Sequence, residues 1–442
     1  MEILEKAQKM LEKYSLCNHC LGRQFAFLGY GLDNQKRGEV LKILLVMKGH
    51  RLALKGEKEG FSLLRILTVN ASSDMAAKIL KRLRKRARKR KECCLCHGQF
   101  ESIDELVALS LKKLEAYEHA TFLVGVELPT EIEEKEDEFR AEFQVKHGES
   151  MRNNFSRDIG KGISTITQKP VDHKKPNVVI LVNPFTQKVK LKSNPLYIAG
   201  RYRKLVRGIP QSRWICVECG GKGCLRCNGT GKMYQESVEE LVSGPTLDRT
   251  AGEEASFHVA GREDVDARML GSGRPFVIEV KKPRKRLIDL HDLTGAINSQ
   301  AQDKVKVLNL RFGDRDTVRG LKKTETGEKI YRTVVQFDRN LTEIELETLE
   351  KRLTRAMVRQ QTPLRVLHRR ADKVREKYIY EAKVKRLSPN RAEITVHCEG
   401  GLYIKELITG DEGRTDPNVT DMVSARAEPL ELDVLNVIRR GG

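Results

Sequence analysis

At 442 residues the chain is longer than one ordinary compact core, so roughly two or three domains are expected. With 39% apolar and 32% charged residues it has the composition of a folded globular protein, and no run of about 18 apolar residues offers a membrane-spanning helix. Its 82 Lys plus Arg outnumber 61 Asp plus Glu, a net charge of +21. That surplus favours a polyanionic partner, since neutralising phosphates releases their counter-ions; the competing reading is a solvated, ion-pair-rich surface.

Residues 1–50 read as a helical segment. Between Met1 and Tyr14, Ile3, Leu4, Ala7 and Leu11 alternate with Glu2, Lys6, Glu12 and Lys13. That is an amphipathic helix and not the apolar core of a signal peptide, so a cytoplasmic location is expected. Asp33 or Asn34 is placed to cap a helix through Val40, Leu41, Leu44 and Leu45. In Lys78–Lys91, KILKRLRKRARKRK, ten of fourteen residues are basic and no helix breaker intervenes, which predicts a basic helix. One sign at that density repels itself without a counter-ion, so RNA contact is favoured over a merely solvated face. Helical spacing predicts a helix over Ile103–Leu114, and alternation predicts strands at Thr121–Leu128, Val178–Asn183 and Lys188–Lys192. Together they suggest a small α/β RNA-binding module. Pro195–Trp214 interleaves Tyr197, Tyr202 and Trp214 with Arg201, Arg203, Lys204, Arg207 and Arg213. Bases can stack on such aromatics while the cations hold the backbone, although aromatics also fill cores.

From about Gly231 the pattern changes. Alternating segments recur at Phe276–Val280, Lys304–Phe312, Lys329–Phe337, Tyr378–Val384 and Ala392–Cys398, with a helix at Thr342–Leu353 opened by a Thr342-x-x-Glu345 capping box. An α+β domain with a large mixed, largely antiparallel sheet is expected. The boundaries drawn are a helical segment over 1–50 contributing zinc ligands, an RNA-binding region with the basic helix over 51–210, a cysteine knuckle over 211–235 and a C-terminal domain over 236–442.

Nine of the ten cysteines fall in four tight groups. Cys216-x-x-Cys219-x4-Cys224-x-x-Cys227, with glycines between the pairs, can set four thiolates tetrahedrally about one structural zinc ion. Cys17 and Cys20, with Cys93 and Cys96, can form a second such site if the fold brings them together, leaving Cys94 spare. His19 and His97 are alternative ligands, although a surface role is favoured for each. Neither group has the His-x-Glu partner of a zinc deaminase, and no phosphate-binding glycine loop occurs.

The segment Ala260–Val280 places Arg262, Glu263, Asp264, Asp266 and Arg268 within seven residues. Arg262 or Arg268 can hold a carboxylate ionised in a dry site, and such an Asp can serve as nucleophile or base. By composition alone a charged turn between strands is the stronger reading. GREDVDARMLGSGRPFVIE, the four-cysteine knuckle, the N-terminal CNHCLGR and the distal YIKELITGDEGRT, however, together resemble the archaeal tRNA pseudouridine synthases that act in the TΨC arm, a family distantly related to the TruA-type synthases. The resemblance covers nearly the whole chain. It implies a zinc-bearing THUMP-type RNA-binding region followed by a pseudouridine synthase domain, with tRNA as partner and uridines fifty-four and fifty-five as substrates.

The resemblance also assigns residues. Gly261-Arg262-Glu263-Asp264 matches the family's Gly-Arg-x-Asp motif, which makes Asp264 the catalytic carboxylate and Arg262 its steadying cation. Tyr331 matches the tyrosine that lies against the uracil ring. Ile404-Lys405 matches the motif whose basic residue pairs with the Asp, and Leu432 the apolar residue beside the base. Gly413-Arg414-Thr415-Asp416 is a look-alike, but the catalytic Asp should precede the Tyr and basic motifs in chain order, which favours Asp264; Asp266 is the next competitor. Catalysis is expected to need no cofactor, zinc being structural. A non-catalytic tRNA-binding or folding protein that retains the fold is the alternative. A THUMP-bearing methyltransferase or thiolation enzyme is disfavoured by the missing glycine loops.

Overall fold

The computed structural model describes residues 3–86, 88–324, 327–368 and 370–438. The chain divides into two compact units, Met1–Asn194 and Pro195–Gly442. No described helix is long and apolar enough to cross a membrane.

In the first unit α1 (Ile3–Lys13), α2 (Asn18–Gly22), α3 (Asn34–Leu54), α4 (Lys58–Asn70) and α5 (Asp74–Arg82) precede α6 (Ile103–Leu114), β1 (Phe122–Val126), α7 (Thr130–Glu142), α8 (Met151–Thr167), β2 (Val178–Asn183) and β3 (Lys188–Ser193). Of the two proposed caps it is Asp33 that accepts from the Lys36 amide, at 2.8 Å, to open α3. The strands lie in the order β1-β2-β3, the first pair parallel and the second antiparallel. Their alternation turns Phe122, Val124, Val178 and Ile180 into one apolar core with Phe155 and Ile159 of α8. The same core takes in Met10, Leu11, Leu45 and Leu64, so the boundary expected at residue 50 does not separate two cores.

The basic helix expected over Lys78–Lys91 is corrected to α5, which stops at Arg82. Arg84 takes a positive φ of 56°, and the amide of Lys85 closes back on the carbonyl of Leu80. Past Leu83 there is no apolar stripe to bury, and neighbouring like charges oppose another turn. Arg84, Lys85, Arg86 and Arg88–Lys91 are all exposed in an irregular stretch that ends at Cys93.

The second unit runs β4 (Leu196–Lys204), α9 (Val238–Thr250), β5 (Glu254–Val259), β6 (Ala267–Lys281), α10 (Leu290–Gln300), β7 (Val305–Gly313), α11 (Arg315–Thr324), β8 (Glu328–Phe337), α12 (Glu343–Leu353), β9 (Met357–Gln360), α13 (Leu364–Leu367), β10 (Arg375–Ser388), β11 (Arg391–Glu399), α14 (Ile404–Thr409), β12 (Thr415–Asp416), α15 (Val419–Val423) and β13 (Ala427–Ile438). Its ten-stranded sheet follows the order β12-β9-β10-β11-β8-β13-β6-β4-β7, with β5 paired on β6. All of its pairings are antiparallel except β13 with the start of β6, where Leu432, Asp433 and Val434 lie beside Ala267, Arg268 and Met269. The Thr342/Glu345 capping box closes as expected.

The boundary at residue 210 is also corrected. Strand β4 is an interior strand of this sheet, between β6 and β7. Tyr202 and Lys204 are fully buried there, so neither offers a surface for a base or phosphate.

Candidate active site and metal-binding cysteines

The turn between β5 and β6 sends its three carboxylates in three directions. Glu263 turns inward. It forms an ion pair with Arg274 at 2.7 Å and accepts from the Tyr202 hydroxyl at 2.7 Å and from Gln211 at 3.2 Å. Arg274 also donates to the Ala260 carbonyl at 2.8 Å, which ties β6 to the entry of the turn. The turn needs glycine at 261: φ is 78°, and a Cβ there would press on the Arg274 guanidinium at 2.9 Å. Burial holds Lys204 down to about 8, and its Nζ donates to the backbone carbonyls of Asp264 at 3.0 Å and Val265 at 3.1 Å. Asp266 turns outward, ion-paired to Lys405 at 2.6 Å. Partial burial alone would raise its carboxyl, but that pair outweighs it and holds the group below the usual carboxylate range.

Asp264 faces a cavity of about 560 Å³ that is also lined by Tyr331, Leu432, Ile404, Lys405 and Arg365. These residues come from five places in the chain. Tyr331 stands on β8 opposite Val434 of β13, while Leu432, two residues earlier, neighbours Ala267 of β6, so one sheet face supplies the ring and the apolar wall. Burial pushes the Tyr331 phenol well above its ordinary range, so it keeps its proton. Ile404 and Lys405 open α14, the first buried and the second half-buried. Arg262 does not touch the carboxylate; its guanidinium lies over the Trp214 ring, 5.1 Å from the centroid. The cations facing Asp264 are Arg365, whose Nη1 donates to Oδ1 at 3.2 Å, and Lys405, with Nζ 3.7 Å from Oδ2.

Arg268, the other cation proposed for Asp264, is corrected. It is one residue past Ala267 and therefore on the opposite sheet face, where it makes two 2.9 Å hydrogen bonds to Asp433. Arg332 and Arg207 reach the same carboxylate at 2.6 and 2.8 Å. Burial would raise the Asp433 carboxyl, but Arg268 and Arg332 hold it down to about 2. The look-alike Asp416 sits on the sheet's outermost strand β12, paired with Arg359 of β9, and does not line the cavity. Arg365 escaped sequence reading because nothing in TPLRVLHRR marks it; only its place on the short α13 brings it to Asp264.

The four sulfurs of Cys17, Cys20, Cys93 and Cys96 lie within 4.8 Å of one another, as do those of Cys216, Cys219, Cys224 and Cys227. Cys94 stays outside, its thiol pushed up by burial to about 11, and His19 stacks on Phe100 at 4.5 Å. Sulfur separations of 3.6 Å (Cys17–Cys96), 3.8 Å (Cys216–Cys224) and 3.8 Å (Cys219–Cys227) are far too long for disulfides. They match the edge of about 3.8 Å that a tetrahedron with zinc–sulfur bonds of about 2.3 Å requires. Backbone amides support the thiolates: Cys20 donates to Cys17 at 3.3 Å, and Cys224 and Gly231 each to Cys227 at 3.2 Å. Burial opposes the charge on Cys227, but these amides hold its thiol down to about 6. Both donor sets therefore fit a tetrahedral, thiophilic metal ion.

An Asp-bearing turn leading into a long strand of a mixed, largely antiparallel sheet, preceded in the chain by an α/β module with clustered cysteines, defines a pseudouridine synthase fold with a THUMP-type region. The family model described as Pus10, C-terminal matches residues 197–438, and the model of the archaeal Pus10 THUMP domain matches residues 107–183. The chain is 41% identical over 439 residues to the tRNA pseudouridine synthase Pus10 of Methanothrix thermoacetophila, covering 99% of this chain and 94% of that protein. It is 38% identical over 445 residues to the protein of the same name from Methanopyrus kandleri, covering 100% and 99%. The Pyrococcus furiosus relative is 38% identical over 436 residues, covering 99% and 98%. The chain belongs to the Pus10 family of tRNA pseudouridine synthases.

Proposed function

We propose that the protein isomerises uridine to pseudouridine at positions fifty-four and fifty-five in the TΨC arm of tRNA, with Asp264 as the catalytic carboxylate. The observation that carries this reading is the meeting of Asp264, Tyr331, Leu432, Ile404 and Lys405 around one cavity. The uridine must leave its stack to enter that cavity, where Tyr331 and Leu432 offer a flat ring and an apolar wall to the base. Lys329, Arg370, Arg375 and Lys377, also on the wall, suit the flanking phosphates, and Arg262 on Trp214 extends that surface. In the reaction the C1′–N1 bond breaks, the uracil turns, and C5 bonds to C1′. N1 gains a proton and C5 loses one to solvent, so no oxidant, reductant or cofactor is consumed.

Each cysteine cluster holds a structural zinc ion in this reading, and the exposed basic stretch between Arg84 and Lys91 grips the RNA backbone. Its substrate places the protein's work in the cytoplasm. The test uses unmodified tRNA tritiated at uracil C5. Wild-type protein should release tritium from both positions, and Asp264→Ala should release none while still binding tRNA. Full activity in that variant would refute the assignment, and loss in Asp416→Ala alone would move it to the look-alike motif. Tight binding without release by the wild type would favour the non-catalytic alternative.

A further inference from the structure

Among the described residues two cations pair with Asp264, and they are not equivalent. Lys405 stands 3.7 Å from it but 2.6 Å from Asp266, so in the free protein its close partner is Asp266. Among the described cations, Arg365 alone reaches Asp264 at hydrogen-bond distance, 3.2 Å. The opposite edge of the same guanidinium donates from Nε to Glu406 at 2.6 Å. The Glu406 side chain is only 5% exposed, and its second oxygen has no hydrogen-bond partner among the described residues, so Arg365 is the described cation that compensates that buried charge. The short helix carrying Arg365 is itself fixed, because the Leu364 amide donates to Asp411 at 3.1 Å and Val366 is buried.

We propose that Arg365, clamped by the buried carboxylate of Glu406, is the positioning residue that aims Asp264 into the cavity. Lys405 is thereby left to Asp266 until RNA enters. The planar fork carries both bonds at once in fixed, separated directions, one edge to each carboxylate, a directionality that a point-like, freely rotating ammonium lacks. Lys405 and Glu406 are consecutive on α14, so one turn of helix delivers both the cation paired with Asp266 and the clamp. This rests on the reading of Asp264 as the catalytic group.

The test measures kcat and KM for tritium release from tRNA with the full-length protein. Arg365→Ala should lower kcat about 100-fold, the scale of a catalytic group misplaced by about 1 Å, with KM within about twofold. Low, non-denaturing guanidinium should restore part of the rate where sodium chloride at equal ionic strength does not. Arg365→Lys should stay at least about tenfold below wild type, because the charge returns without the fork. Glu406→Gln should cost about tenfold, and the double variant Arg365→Ala/Glu406→Gln should be no slower than Arg365→Ala, as expected when one residue acts through the other. Wild-type kcat in Arg365→Ala beside an inactive Asp264→Ala would overturn the proposal and leave the reading of Asp264 intact. An active Asp264→Ala would overturn that reading instead. A rise in KM alone, without guanidinium rescue, would make Arg365 an RNA contact and also overturn the proposal. Should Arg365→Ala melt early, Arg365→Lys and Glu406→Gln decide by the same kcat criterion.

Discussion

Arg274→Met isolates what holds the Asp264 turn in place. The wild-type guanidinium is 1% exposed and the Glu263 carboxylate fully buried, at 2.7 Å from each other. The variant keeps the volume of the side chain but leaves Glu263 with two neutral donors, Tyr202 and Gln211, and no directly paired cation among the described residues. Stranding one partner of a buried pair costs about 3–5 kcal/mol. For a unit of this size that lowers the melting temperature by about 6–20 °C, at about 2–4 °C per kcal/mol. Adding Glu263→Gln should recover much of the loss, because it removes the stranded charge and keeps a hydrogen-bonding side chain. Thermal melts of the two single variants and the double variant, followed by circular dichroism, measure this. An Arg274→Met protein melting with the wild type, or a double variant less stable than Arg274→Met, would refute the view that the pair fixes the turn.

Metal analysis of gently purified protein should find about two zinc ions per chain, and Cys216→Ser or Cys93→Ser should each lose one; metal-free protein with unchanged stability would contradict both sites. Asp433, held down to about 2 from an ordinary 3.8, contributes stability that is present above the unfolded value and is lost as pH falls from about 3.8 to about 2. Urea unfolding at descending pH should show about 2 kcal/mol of loss in that window, and Asp433→Asn should flatten it. Replacing Arg84, Arg86, Arg88 and Lys89 with Ala should weaken tRNA binding and make its salt dependence shallower by about one unit of log–log slope per lost phosphate contact, with kcat unchanged. An unchanged salt slope would remove the stretch from the RNA interface.

Much of the secondary structure was legible because its causes are local. A cap, a strict alternation or a helical stripe is decided within a few residues, as at Asp33, Val178–Asn183 and Thr342–Leu353. The misjudged elements are those where burial overrode composition. The basic run lost its helix for want of an apolar face, and Tyr202 with Lys204, spaced like an RNA-binding strip, went into the core.

By itself the sequence determined the pairing of cysteines within each knuckle and the membership of the family. Cys-x-x-Cys spacing already sets two sulfurs on one knuckle, and the motif around Gly261–Asp264 is contiguous. Only the tertiary structure decided which knuckles meet and which charges pair. Cys17 reaches Cys96 across 79 positions of sequence, and Arg365 reaches Asp264 across 101. Arg268, four residues from Asp264, is turned to the other face of the sheet. A charge partner is set by which side of a strand faces inward and which distant segment packs against it, so nearness in sequence favoured Arg262 and Arg268 while the fold placed Arg365 and Lys405 beside the carboxylate.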